Sequence, residues 1–359
     1  MSSHAPQPPF ANRVRELRAG RGWSQAELAR RAGISRAAVS GMELGQMVPS
    51  VTAALAVTRT LGCRVEDLFG PAEPPEPVAE WAWPPSKRPW RYWLAEVRGK
   101  LLAYPVEAAG KRGHELHDGV AFAEESPSAV DFALARQTLV VACCDPAAGL
   151  LATAYRQETG VRMLVLHRST QHALDLLRRG LVHMAGLHLS TPDDEGRNAV
   201  AVAAVLDGRY KLLRVAAWED GLAIAAGKAG RSVRSVAGSR LKWVAREPGS
   251  GARQCLDRIL RGRVPTRRIA YDHWTVAEAI RCGWADAGVC LRLTCEEAGL
   301  TFLPVQTEFY DLCYAAGDEG DRRIAGLLRM LRTSAFRRRI GELPGYDASV
   351  TGDVQVVAG

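Results

Sequence analysis

The stretch WSQAELARRAGISRAAVSGME, residues 23–43, constrains this chain more than any other. Ser24 stands where an N-cap is needed for a short helix over 25–31, with Ala26, Leu28 and Ala29 on its inner side. Gly33 can take the positive φ of a sharp turn, and Ser35 then caps a second helix running to about residue 44. Ala29 is small where two helices would cross closely, while Ile34, Val39 and Met42 recur at helical spacing toward a shared core. That leaves Arg36, Ala37, Ser40 and Gly41 on the outer face of the second helix. Small and polar side chains there let a helix lie deep in a major groove, and Arg36 is long enough to reach a guanine edge or a phosphate.

The flanks extend the same pattern. A first helix is expected over 10–19, with Val14 and Leu17 inward and Arg13, Arg15 and Arg18 outward. Gly45 suits a helix C-cap, and Pro49-Ser50 opens a fourth helix on which Val51, Leu55, Thr58 and Leu61 share a face. A short helix over 65–69 closes the bundle. The order Gln25, Ala29, Gly33, Ile34, Val39, Met42, Glu43 resembles the helix-turn-helix of the Xre/Cro/phage-repressor family, and VPSVTAALAVTRTLGCRVEDLF resembles the end of the same domain. The resemblance covers residues 10–70 and implies an all-α DNA-binding bundle. On it, Gln25, Ser35, Arg36, Ala37, Ser40 and Gly41 are the DNA-binding candidates. One recognition helix spans too few base pairs for specificity, so a homodimer on a roughly palindromic double-stranded operator is expected. The segment holds nine Arg against five Asp plus Glu, a balance of about +4. It departs from many relatives at Met47-Val48, where they carry basic residues before the proline.

At 359 residues the chain has room for two or three domains, and its 47% hydrophobic content supports well-buried cores. The net charge of +8 and a pI near 9.2 suit a polyanionic partner. No run of about 18 apolar residues is present, and MSSHAPQPPF lacks the basic and apolar regions of a secretion signal, so no membrane partner and a cytoplasmic location are expected. The eight cysteines form no compact framework and would remain thiols in a reducing compartment. With no C-x-x-C pair and no tight Cys/His spacing, no metal and no cofactor is expected. His114 and His117 flank Glu115 in a Gly-rich turn, a weak pattern.

Residues 71–90, rich in proline with Trp81, Trp83 and Trp90, read as a stiff linker; docking of these tryptophans and Trp93 onto the next domain is favoured over base stacking. Residues 91–130 contain strand-like pieces of an accessory element. From 131 to 352 the pattern alternates strand and helix: strands over 138–143, 161–167, 181–189, 212–217, 222–226, 241–245, 268–271, 286–291 and 300–314, with helices between. Such alternation argues parallel sheets with helices on their faces, arranged as two lobes around a cleft.

In open parallel sheets ligands collect beyond the carboxyl ends of strands, where helices begin. Four such junctions carry small polar caps: Cys144-Asp145-Pro146, Ser169-Thr170-Gln171, residues 247–251 (EPGSG), and residues 272–275 (DHWT). Helix N-terminal N–H groups beside a hydroxyl make an anion site, and Arg253 can add charge. The segments LLRRGLVHMAGLHL, REPGSGAR, AEAIRCGWADAGVCL and AFRRRIGELPGYD resemble a type II periplasmic-binding-protein-like sensor domain of the molybdate-binding-like group, as found fused to Xre-type domains. The resemblance implies a two-lobed α/β clamshell that closes on a small-molecule or oxyanion effector, possible ligands including molybdate, and alters DNA binding. Carried over by position, its ligand-binding candidates are Ser169, Thr170, His188, Ser250, Gly251, Arg253 and Thr275. Cys143-Cys144-Asp145 departs from the serine that an oxyanion binder would present, and an inward Asp145 would repel an anion.

Each hydroxyl candidate also reads as a plain helix cap, and Arg253 as a partner of Asp257 one turn on. Arg322, Arg323, Arg329, Arg332, Arg337, Arg338 and Arg339 read as a solvated helix face before a phosphate contact. The multi-domain chain is thus expected to be a one-component, non-enzymatic regulator. Two other readings stay open: an enzyme using the same cleft, or a C-terminal domain that only dimerises. No G-x-S-x-G elbow, Walker A loop or zincin motif supports the enzyme, although His188 with Asp145 or Cys144 could assemble in space.

Overall fold

A computed structural model describes residues 12–69, 79–85, 90–107, 116–121, 132–228, 232–262 and 267–357. The N-terminal tail, most of the proline-rich linker and His114 lie outside the described residues. The chain forms two compact units, Met1–Pro77 and Val78–Gly359.

In the first unit, α1 (Val14–Ala19), α2 (Gln25–Ala32), α3 (Arg36–Glu43), α4 (Val51–Leu61) and α5 (Val65–Phe69) follow one another with short turns. Ser24, Ser35 and Ser50 each accept the backbone N–H three residues on, capping α2, α3 and α4 at 3.1–3.2 Å. Gly33 has φ +65°, so the α2–α3 turn takes the left-handed conformation that a Cβ would strain. Val14, Leu28, Ala29, Val39, Met42, Val57, Leu61 and Leu68 form the core. Two expectations are corrected. Ala26 is exposed, because the inward stripe of α2 runs through Leu28, Ala29 and Ala32. On α4 the buried face is Ala54, Val57, Thr58 and Leu61, which turns Val51 and Leu55 to solvent. The bundle is locked by one polar cluster: Glu43 takes Arg18 Nε at 2.6 Å and Gln25 Nε2 at 2.9 Å, tying α1 and α2 to α3.

The second unit begins with a four-stranded sheet of order β1-β3-β2-β4, comprising β1 (Glu80–Trp81), β2 (Trp90–Val97), β3 (Lys100–Pro105) and β4 (Gly119–Ala121). Arg98 and Gly99, both at positive φ, make the tight turn of its β2–β3 hairpin. Trp81 packs edge-on to Trp90 and Tyr92, Trp83 edge-on to Tyr104, and Trp93 donates to Leu116 O at 2.9 Å, so these tryptophans belong to the sheet's packing. Trp93, Ala95, Val97, Leu102 and Tyr104 share a core with Val140, Leu164 and Leu166 of the next sheet.

That sheet carries the fold. Its first part is α6 (Phe132–Arg136), β5 (Thr138–Cys143), α7 (Ala148–Thr159), β6 (Arg162–His167), α8 (Thr170–Arg178), β7 (Met184–Ser190) and α9 (Arg197–Val205). The long β8 (Tyr210–Ile224) then leads to α10 (Val233–Gly238), β9 (Trp243–Arg246), α11 (Gly251–Ile259), β10 (Ile269–Ala270), α12 (His273–Arg281), β11 (Ala287–Leu291) and α13 (Arg292–Glu297). The equally long β12 (Thr301–Ala315) returns, followed by α14 (Arg322–Leu331), α15 (Ser334–Gly341), β13 (Tyr346–Asp347) and β14 (Val354–Val357). The strand order is β10-β9-β11-β8-β12-β7-β5-β6, with β13 and β14 also on β8. β5 and β6 pair in parallel in one lobe, as do β9, β10 and β11 in the other, whereas β8 and β12 run antiparallel through both. Two register shifts in β12, at Pro304/Gln306 and Tyr310/Asp311, mark where the ladder bends between lobes.

Glu219-Asp220-Gly221 is a turn-like phrase, and two strands, 212–217 and 222–226, are expected around it where one strand, β8, is found. The strand is continuous because Gly221 lies against β12, where a Cβ would stand 2.3 Å from Leu303 O. The arginines after residue 321 are also not all a free face: Arg332 and Arg337 donate to Gly352 O and Thr351 O and so hold the chain's return to β14.

Buried His183 accepts Val140 N–H at 2.9 Å on Nδ1 and faces Glu96 O at 3.1 Å through Nε2, joining the accessory sheet to β5. Burial, aided by the Arg323 charge, lowers its pKa to about 3. Below the unfolded value of about 6.5 the unfolded chain therefore takes a proton that the native state refuses, and stability falls with pH. Acidifying from pH 6.5 to 4.5 is expected to cost about 2 kcal/mol through this group. Urea unfolding of the wild type against His183→Gln across that range checks it; an equal slope in both would refute the assignment.

Candidate DNA interface and interlobe site

On the helix-turn-helix unit, Arg36 and Ala37 are exposed at the start of α3, and Ser35 is committed as its cap. Ser40 is half-buried. Gly41 lies under Met47, with a Cβ position 3.0 Å from Sδ, so it permits the following loop to pack rather than offering open surface. Gln25 spends its amide on Glu43. At the start of α3 the exposed candidates are thus Arg36 and Ala37, whereas Gln25 and Gly41 are engaged within the unit. Met47 and Val48 are both exposed, so the loop before Pro49 offers apolar surface.

In the second unit the lobes meet across β8 and β12. Gly251, the first residue of α11, would place a Cβ 2.9 Å from the His188 ring on β7; at Gly249 a Cβ would come 2.6 Å from Gln171 Oε1 on α8. The two junctions thus touch across the cleft. A cavity of about 220 Å³ remains, lined by His188 and Arg197 from one lobe, Gly251, Gln254 and Arg258 from the other, and Gln306 and Glu308 from the crossing strand β12.

The sequence candidates divide sharply here. His188 and Gly251 come together at the cavity. Thr170 is buried with its hydroxyl unpartnered. Ser250 is a cap, accepting Arg253 N–H at 3.2 Å and donating to Glu247 O at 2.9 Å. Thr275 binds the Asp272 carboxylate at the start of α12, Ser169 faces His172 Nδ1 at 3.2 Å, and Arg253 pairs with Asp257 at 2.9 Å. These four are accounted for within their own helices.

Behind the cavity lies a polar cluster that motif reading missed. Cys144 Sγ is 3.0 Å from His188 Nε2, and His188 Nδ1 is 2.7 Å from Glu308 Oε2. Glu308 is oriented by Trp218 Nε1 at 3.1 Å and Gln306 Nε2 at 2.6 Å. Burial disfavours charge on His188, yet the adjoining Cys144 and Glu308 outweigh it and raise its pKa well above the usual histidine value. His273, from the opposite lobe, has the reverse balance: burial, then the nearby Arg246 and His188 charges, lower its pKa well below normal and keep it neutral. Cys144, His188 and His273 each offer an atom within 4.8 Å of the others and are the residues here able to hold a metal. Arg246 is paired bidentately with Glu247 at 2.8 and 3.0 Å, leaving Nη1 unpartnered. Both Asp220 oxygens, Asp145 Oδ2 and His273 Nε2 are likewise buried without partners. Burial raises the Asp145 pKa to about 6, and burial with the Glu308 charge pushes Asp220 well above the carboxylate range. Position at strand ends hinted at Cys144 and His188; nothing in the local sequence distinguished Asp220, Arg246, His273 or Glu308 from strand and cap residues.

Among the described residues no helix is long and apolar enough to cross a membrane. The PBP superfamily domain pattern matches residues 152–332, and a helix-turn-helix pattern matches residues 14–68. Uncharacterized protein YvgK of Bacillus subtilis is 26% identical over 208 residues, 55% of this chain; the chain spans 66% of that relative's length. The uncharacterized HTH-type transcriptional regulator YgzD of the same organism is 40% identical over 58 residues, 16% of this chain and 88% of its own. Among solved structures, an ABC-type phosphate transport receptor from Vibrio cholerae aligns over 58% of this chain and 99% of its own at 12% identity, TM-score 0.42. A reduced form of OxyR from N. meningitidis aligns over 58% and 98% at 10% identity, TM-score 0.43. The chain belongs to the PBP superfamily domain family and, with its Xre-type helix-turn-helix, is a transcription regulator carrying a PBP-like domain.

Proposed function

We propose that the two-lobed domain closes on a small anion in the interlobe cavity and that closure alters operator binding by a dimer of the helix-turn-helix unit. The cavity itself carries this reading: Arg197 and Arg258 flank it, the Gln254 and Gln306 amides line it, and the N-terminus of α11 opens onto it at Gly251. Its volume of about 220 Å³ favours an inorganic oxyanion or a small anionic metabolite over a larger effector. An effector shifts the regulator only by its differential affinity for open and closed forms, a coupling of about 1–3 kcal/mol in typical cases. Exposed Val48, Val51 and Leu55 supply apolar surface on which a second copy can pair.

Arg36→Ala tests the DNA side. Against an operator selected from a randomised pool, the variant is expected to bind about tenfold or more weakly in a mobility-shift assay, with its melting temperature unchanged. Sequence-specific binding at wild-type strength would exclude α3 as the reading helix.

A second reading, catalysis in the same cleft, draws on the row Cys144–His188–Glu308, which has the order of nucleophile, base and orienting carboxylate. Turnover of any oxyanion ester by the full chain, lost in Cys144→Ser, would favour it over reversible binding.

A further inference from the structure

We propose that Cys144, His188 and His273 form a three-ligand site for a zinc-like transition-metal dication that joins the two lobes and leaves its fourth position open to the cleft. Cys144 and His188 come from the first lobe, at the ends of β5 and β7; His273 opens α12 in the second. The inference is independent of which anion the cavity takes.

The distances suit such an ion. Tetrahedral zinc with Zn–S near 2.3 Å and Zn–N near 2.05 Å sets sulfur and nitrogen about 3.5 Å apart. Cys144 Sγ and His188 Nε2 stand at 3.0 Å, and all three ligand atoms lie within 4.8 Å, so changes of no more than about an ångström and a half in separation suffice. The surroundings are built for it too. Glu308 receives the His188 Nδ1 proton at 2.7 Å, which aims Nε2 at Cys144, where a bound cation would displace the Nε2 proton, and Trp218 and Gln306 fix Glu308 in turn. A carboxylate behind a ligating histidine is the usual support of a zinc site. Independently, His273 Nε2 is a buried atom with no partner, this ring offers a nitrogen within 4.8 Å of the Cys144 and His188 ligand atoms, and the neutral ring keeps a lone pair for a cation. Glu308 stands against His188 at 2.7 Å, and Arg246 is already matched by Glu247, so added positive charge is accommodated. Ligation through Nε2 puts the His273 proton on Nδ1 and gives up the 3.3 Å contact from Leu291 N–H. One long neutral hydrogen bond is small beside a metal–imidazole bond.

Cobalt(II) reports on such a site directly. Titrated into the reduced full-length chain, Co²⁺ is expected to give a thiolate-to-metal charge-transfer band and tetrahedral visible absorption that saturate at one equivalent, both displaced by Zn²⁺. Cys144→Ser should abolish the charge-transfer band; His273→Ala and Glu308→Gln should each weaken binding about 10–100-fold. His188→Ala, read by the same band, covers the case in which one of these variants fails to fold. No band with the thiols shown to be reduced overturns the proposal. So does a band that persists in Cys144→Ser, which would place the ion on another thiol such as the exposed Cys282.

Discussion

Gly251→Val is expected to hold the clamshell open and lower affinity for any cleft-bound anion by at least about a hundredfold, while both lobes stay folded. A side chain at 251 would meet His188, whose ring carbon lies 2.9 Å and ring nitrogen 3.1 Å from the Cβ position. His188 cannot step aside, since Cys144 and Glu308 hold its two nitrogens. Gly251 has no positive φ, so the backbone accepts valine without strain, and the Ser250 cap of α11 remains. The damage is therefore confined to closure. Calorimetric titration of an anion that the wild type binds reads the affinity, and circular dichroism reads the fold. Unchanged affinity in the variant would show that the ligand does not need the lobes to meet.

Glu43→Ala is expected to unfold the helix-turn-helix unit, or nearly so, and with it to abolish operator binding. Glu43 is 3% exposed in its side chain and receives both Arg18 and Gln25, so its loss strands a mostly buried guanidinium and an amide. Removing one partner of a buried ion pair costs about 3–5 kcal/mol. A unit this small has a total stability of about the same size, so the loss is decisive. The surface pairs of the same unit, such as Arg13–Glu16, contribute far less, because both side chains are at least half exposed. The Arg18 and Gln25 contacts hold the Glu43 carboxylate below its ordinary pKa despite burial, so this support is present above about pH 4.3 and lost as the solution is acidified through the folded value. Urea unfolding followed on Trp23 measures the loss; a shift below about 1 kcal/mol would mean that the cluster is not what locks α1, α2 and α3 together.

The parts of this molecule that were legible in sequence are those specified locally. Ser24, Ser35, Ser50 and Gly33 mark helix ends by chemistry that acts within three or four residues, and they fix the DNA-binding unit. The phase of α4 was less legible: Val51 and Leu55 suit an inner face as well as Ala54 and Val57 do, and packing against Leu28 and Val39 made the choice. The β8 crossing was hidden because Asp220 and Gly221 look like a turn until β12 is laid beside them. The cleft was the hardest to read. A hydroxyl that serves a helix end and one that binds a ligand occupy the same position in sequence; Ser250 proved to be a cap, and Thr275 donates to the Asp272 cap. The cluster behind them joins residues 44 and 120 positions apart, a juxtaposition created only by the two-lobed topology.

The proposed regulation requires the interlobe cavity to be an anion receptor that fills only when the lobes close. Calorimetric titration of phosphate, sulfate, molybdate and tungstate into the full-length chain, in parallel with Gly251→Val, tests this directly. Saturable binding of at least one of them at one site per chain, lost in the variant, is the predicted result. No saturable binding by any of the four, or equal binding by both proteins, would contradict it.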